Sequence, residues 1–464
     1  TLTSVTTTDG AIDVDAGGAV IIQTVTSADT GNDETHDVTI TTSSGNITFG
    51  DGATFAGTVT ADNAAIINAA GAIVDDDNAD NVDISAVSTD LDAGGAIGGT
   101  GGTVVQIDTA VDSITANTSA AGDIGLNETD AITLTSVTTT DGAIDVDAGG
   151  LLTVQQNINN TGAFNINLTG VGIDVDTTTG GAHNVTIQTD STGNLNIDAG
   201  AGTLTLQDEG TTEIALLTTI GTGNISINAA DIVIETNDAG NQDQIVSGGT
   251  LTITSNGGTI GLGNDAVTAV SALELNDVEM DSLSSTGTLT IGNGASGRIL
   301  LDRATTYGAN DLKLVTGSFI TDNSDANAFT SVGTLTLTSN GTVGIDNTDG
   351  NNTALTLGID VNALTITGTG ANNINVTDAG TSNTVYTIAT GGAGNVVVTQ
   401  TANNLNVGLV STLGNVDLTT TNTTGGAIID NGADNTVDIF GGTVTLTSNT
   451  GIGSSTADQD IETS

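Results

Sequence analysis

TLTSVTTTDGAIDVDAGG fills residues 1–18, and the same eighteen letters return unchanged at residues 133–150. An enzyme with one active site has little use for a perfect internal copy. A stacked-repeat protein lengthens itself by reusing a unit whose neighbours bury its apolar side. Within the copy, AIDVDAGG alternates apolar and acidic residues, and a strand sends alternate side chains to opposite faces. Ile12 and Val14 are therefore expected in a core, with Asp13 and Asp15 outside. Ile144 and Val146, with Asp145 and Asp147, take the same roles in the second copy. Identity argues that the two copies are equivalent positions on separate coils, several coils apart.

The same grammar runs along the whole chain. GNITF (45–49), GNLNI (193–197), GTLTL (202–206), GNISI (223–227), GTLTI (249–253 and 287–291), GTLTL (333–337) and GTVTL (442–446) each set Gly before a polar–aliphatic alternation. These read as short strands, with Gly, Asn and Asp supplying the corners. Larger echoes lie above them: TLTITSNGGTIG (250–261) returns as TLTLTSNGTVGI (334–345), and GAIVDDDNADNVDI (71–84) as GAIIDNGADNTVDI (426–439). No stretch carries a sustained 3.6 period. ALELNDVEMDSL (272–283) gathers helix formers without an apolar stripe and reads as an irregular loop or insertion.

Composition selects among all-β architectures. The 464 residues include 64 Gly but no Pro, Cys or Trp, and hydrophobic content of 36% comes with only 2% aromatics. Such a core is narrow and built from small branched side chains. Strings of sandwich domains use Pro at their junctions and a large aromatic in each core. A parallel β-solenoid needs thin aliphatic layers and Gly or Asn at every corner, as seen here. If a coil takes about 20 to 25 residues, one continuous solenoid over residues 1–464 makes roughly 20 coils. The lack of Cys argues only against disulfide-stapled folds, and no apolar run approaches the length of a membrane span. The first copy lacks the lead-in GDIGLNETDAI (122–132) that precedes the second, so the chain reads as a piece of a longer array.

The Gly-Asn/Thr-Leu-Thr-Ile strands, the GAIDVDAGG and GTIGLGN turns and the acidic, aromatic-poor composition resemble the repeat region of filamentous haemagglutinin-type bacterial exoproteins, surface adhesins exported by two-partner secretion. The resemblance covers the whole chain in style, without that family's secretion domain. It implies a right-handed parallel β-helix shaft at the surface of a Gram-negative-type cell. Its partners would be other copies of itself, or host and neighbour-cell glycans and proteins reached through regions outside this segment.

A formal charge of −52 governs the outer face. Outward carboxylates stacked about 4.8 Å apart would lie well inside the screening length at physiological salt. Raised pKa values, interleaved Asn or divalent cations could offset that repulsion. Oxygen-rich sites suit calcium, and the candidate ligands are Asp13, Asp15, Asp75, Asp76, Asp77, Asp145 and Asp147. DDDNADNVD (75–83) lacks the spacing of a known calcium loop, so a solvated acidic corner with diffuse counter-ions is the plainer reading. The three basic residues, Arg298, Arg303 and Lys313, are too few for nucleic acid and read as a local surface cluster.

Catalysis has little footing. His36 and His183 are isolated and read as exposed strand or turn residues, GGTGG (98–102) as a turn cluster, and NTD (347–349) as a chance match to one element of polysaccharide-cleaving β-helix enzymes. The expectation is a non-enzymatic extracellular rod, structural or adhesive, needing no cofactor beyond possible Ca2+. The alternatives are a self-assembling subunit of a filament, sheath or surface layer and, more remotely, a β-helix enzyme.

Overall fold

The computed structural model describes residues 1–28, 36–52, 55–76, 81–99, 105–177, 183–207, 214–235, 244–263, 272–301, 305–306, 311–322, 329–344, 357–371, 373–432, 436–453 and 460–464. They form 48 short strands and one five-residue helix. The chain divides into two compact units, the first Thr1–Ala229 with Val233–Gly249, the second Ala230–Ile232 with Thr250–Ser464. Each is a parallel β-solenoid, and their strands make about 15 turns in all.

In the first unit each strand pairs in parallel with its counterpart one coil on. The run Val20, Ile47, Ile73, Ile97, Ile124, Ile144, Ile166, Leu195 and Ile225 is in register throughout, and every member is buried. Like side chains thus stack on like, which fills a thin core without aromatics. Full burial of one such side chain stabilises by about 1.5–3 kcal/mol. The residues between them, such as Asp145, Asn167, Asn196 and Ser226, form an outward column in the same register.

The second unit repeats the device with Leu251, Leu289, Leu312, Leu335, Leu364 and Tyr386. Tyr386 is fully buried, and its hydroxyl donates to Asp378 Oδ2 at 2.6 Å. Residues 272–283 are more ordered than an irregular loop. Strand Leu273–Leu275, helix Asp277–Asp281 and strand Leu283–Ser285 succeed one another. A capping box starts the helix: Asn276 accepts from the Val278 and Glu279 amides, and Glu279 accepts the Asn276 amide. A short capped helix needs no apolar stripe, which is why periodicity did not show it.

The turn count falls below the expected 20 because coils are longer than assumed. Leaving aside the inserted strand Leu273–Leu275, register partners are as close in sequence as Ile107 and Leu126, but as far apart as Ile260 and Ile299, where the helix intervenes. The spare residues leave the core at corners. Added loop length costs little once a corner is closed.

The identical segments lie on separate coils, as expected, but at different places around them. Ile12 heads the run Val38, Ala65, Thr89, Ile114 and Leu134, whereas Ile144 belongs to the run headed by Val20. Each run takes five steps, roughly 24 Å at about 4.8 Å per step. The second copy is therefore displaced by five coils and advanced by one strand around the coil. Ile12, Ile144 and Val146 are buried as expected; Val14 is only half-buried.

Candidate functional site

The outward carboxylates of the two copies do not stack on carboxylates. Asp13 and Asp15 are in register with Thr39 and Thr41, and Asp145 and Asp147 with Asn167 and Thr169. Amide donors from other coils repeatedly meet the acids: from an adjacent coil Asn63 donates to Asp37 (2.7 Å), Asn228 to Asp198 (2.8 Å) and Gln207 to Asp174 (2.9 Å), while Gln106 reaches Asp147 two coils away (2.6 Å). Of the means of offsetting the repulsion, interleaved amides are thus directly visible. Raised pKa values accompany them. Burial, then the neighbouring Asp147, pushes the Asp145 carboxyl up against the opposing pull of Asn167. Asp174 is pushed up to about 6 by burial, then by Asp176 and, more weakly, Glu235.

Asn has a second role that the sequence reading missed. Where an Asn opens a strand, often after Gly, its side chain accepts the backbone N–H of the Asn one coil on. Asn165 Oδ1 accepts from Asn194 (2.9 Å) and Asn194 Oδ1 from Asn224 (3.0 Å) in the first unit; Asn373, Asn395 and Asn415 repeat the chain in the second (2.9 and 3.0 Å). A corner amide that leaves the sheet ladder is satisfied this way. The recurrent GN dipeptide was the available signal.

The proposed calcium ligands do not converge on one place. Asp13 and Asp15 are exposed on one sheet of the first unit, and Asp145 and Asp147 are half-buried on another. Asp76 is exposed, and Asp77 lies outside the described residues. Asp75 is different, because the acidic corner is not solvated where it meets the core. Asp75 is 6% exposed, Asp83 2% and Asp108 7%, and one carboxylate oxygen from each lies within 4.8 Å of the others. Asp83 Oδ2 accepts the Asp108 amide (3.1 Å), and Asn127 donates to Asp108 Oδ1 (2.5 Å). An all-oxygen set of this kind could hold a hard cation or share protons. Asp108 escaped notice because it is distant in sequence from the acidic run.

His36 is buried rather than exposed, with Nε2 3.0 Å from Asp9 Oδ1. His183 Nε2 lies 2.8 Å from the Gln155 carbonyl oxygen. Among the described residues neither Arg298 nor Lys313 enters an ion pair; Arg303 and residues 347–349 lie outside them, as does most of 98–102. No family model, curated protein or solved structure matches this chain. What can be said of function rests on its own geometry.

Proposed function

We propose that this chain is a non-enzymatic structural segment of an extracellular bacterial surface protein of the filamentous haemagglutinin type, carrying adhesive contacts made elsewhere in the molecule. One observation carries the reading. The same eighteen residues serve at two angular positions of one solenoid, so the segment presents Asp13 and Asp15 from one sheet and Asp145 and Asp147 from another. A residue set evolved for one ligand is tied to one face. A set that only has to stack can be reused on any face. The amide-interleaved surface supports the same view, since it keeps exposed strands soluble while leaving each coil paired to the next.

The test is accessibility on intact producing cells. An antibody or protease added from outside should reach this segment, and shortening it by whole coils should reduce adhesion without abolishing export. A segment protected inside intact cells would overturn the reading. Adhesion indifferent to the length of the segment, with filaments formed by the purified chain, would favour a self-assembling subunit instead.

A further inference from the structure

Successive coils of the second unit align two outward rows. Lys313, Thr336, Thr365, Thr387 and Leu409 are in register along one, and Val315, Thr338, Thr367, Ala389 and Ser411 along the other. The residues between them, such as Leu314, Leu337, Ile366 and Ile388, are buried, so both rows face away from the core. Neither row contains a carboxylate, although the chain carries 55 Asp and Glu against three Lys and Arg, and one of those three is Lys313. Asp311 marks the margin, where its Oδ1 accepts the Thr334 amide (2.9 Å).

Apolar side chains gather at one end of this face. Leu409 closes the first row, Phe440 is in register with Ser411 at the end of the second, and Leu413 lies two residues beyond Ser411. Leu409 is 39% exposed, Phe440 44% and Leu413 66%. Phe440 is not bared by a missing coil, since the Ser464 backbone bonds to Ile439 and Gly441 on its other side. A lone exposed aliphatic needs no explanation, but a group of three beside rows without carboxylates marks a contact surface.

Elsewhere the outward rows carry acids. On another strand run of the same unit Asp417 is exposed in register with Val397 and Thr445, and in the first unit Asp13, Asp15 and Asp92 are exposed. Two bodies of charge −52 repel one another through such faces. Their least costly approach sets the rows without carboxylates against each other. A polycation would favour the acidic faces instead, and a polyanion would be repelled at the margins.

We propose that the face made by these two rows, with Leu413 and Phe440 at its end, is a contact surface for a second copy of this chain, which lays the same face against it. Because both partners use one patch, the contact closes at two and makes pairs, not filaments. Five steps from Val315 to Phe440 make the face about 24 Å long, and two rows with their flanks make it about 14 Å wide. At roughly 330 Å² a side it falls short of the about 800 Å² per partner of a stable complex, so pairing is weak and needs a high local concentration. A rod that pairs in this way is still a rod, so a monomeric result leaves the proposed structural role standing.

Sedimentation equilibrium of the whole chain, at low and high salt, tests the contact. The parent should shift from monomer toward dimer as concentration rises, and more so at high salt, which screens the repulsion between the two acidic bodies. Thr365 is the middle member of its row and meets its own counterpart whether the copies run parallel or antiparallel. Thr365→Glu, at an outward and half-buried position, should weaken pairing by about tenfold or more, as should Thr365→Lys, whereas mixing the two variants should restore it. Thr39→Glu adds the same charge to the first unit and should leave pairing unchanged, with circular dichroism checking that each variant is folded. A parent that stays monomeric throughout, an equal loss in Thr39→Glu, or a mixture that pairs no better than either variant would overturn the contact. So would a monomeric parent held on a neutral polysaccharide column from which Thr365→Glu elutes freely, which would make the face a glycan surface.

Discussion

Ile12 and Ile144 hold the same place in two identical segments yet enter the core from different sheets, Ile12 in register with Val38 and Ile144 with Ile124 and Ile166. Stacking environment, not local sequence, then decides what a substitution costs. The paired glycines that follow each strand show this most sharply. A Cβ on Gly149 would sit 2.3 Å from the Thr129 carbonyl oxygen, and one on Gly150 2.7 Å from the Ala131 nitrogen, while Gly17 and Gly18 have nothing within 4 Å. Gly149→Ala forces backbone on the neighbouring coil to move and is expected to cost about 1–3 kcal/mol, the usual scale for overpacking. Gly17→Ala should change stability by less than about 0.5 kcal/mol. Urea unfolding of the two variants decides it: equal losses would show that the corners do not stack as described.

Asn194 links three coils, donating its backbone N–H to Asn165 Oδ1 and accepting that of Asn224 on its own Oδ1. Asn194→Ala leaves the Asn224 amide without its acceptor and should cost about 1–2 kcal/mol. Asn194→Asp keeps an oxygen in place and should recover most of that loss. Exchange of the Asn224 amide proton with deuterium is the sharper readout, since protection there should fall in the alanine variant and return in the aspartate one. Unchanged protection in Asn194→Ala would remove the side chain from the corner's support.

Much of the fold was legible because the core obeys period 2. GNLNI and GNISI show their aliphatic face directly, and Leu195 and Ile225 are both buried. Angular position was not legible, since AIDVDAGG satisfies either sheet equally well. Coil length was hidden too, because residues leaving a corner carry no alternation that could reveal how long the excursion is. Asp75 misled for a physical reason: an acid on the inward side of a strand breaks the pattern, and its neighbour Asp108 becomes visible only when the coils are laid upon one another. The Gly-Asn dipeptide was read as a turn, which it is. Its further role as an acceptor for the following coil needed the stacked geometry.

Asp174 gives the first unit a pH response of its own. Its carboxyl is raised to about 6 by burial and by Asp176, with Gln207 donating to Oδ2 at 2.9 Å in opposition. A group raised in the folded state contributes stability that is complete below the ordinary carboxylate range, near 3.9, and is lost as pH rises through the folded value. Asp174→Asn keeps an oxygen for Gln207 and removes the buried charge. The variant should melt higher than the parent at neutral pH, and the difference should vanish as pH falls below about 4. A variant that melts lower at neutral pH would show the charged form to be the stabilising one.

Whole coils should be dispensable where half coils are not. Removing residues 195–224 brings Ile225 into the place of Leu195 upon Ile166, while Ile245 can take the place of Leu217 upon Ile187. Both runs then close with an inward aliphatic still meeting an inward aliphatic, and Asn167 meets Ser226 on the outside. Because solenoid stability is close to a sum over coils and their nearest-neighbour contacts, the shortened chain should keep its β circular dichroism and melt cooperatively at a slightly lower temperature. Removing only 195–209 leaves a strand of one sheet where the chain must enter another, so its aliphatics have no matching row to pair with. That shorter deletion should lose cooperative melting and gain protease sensitivity. If instead it is the better tolerated of the two, the coil is not the unit of exchange, and reuse of one segment at two angles would need a different cause.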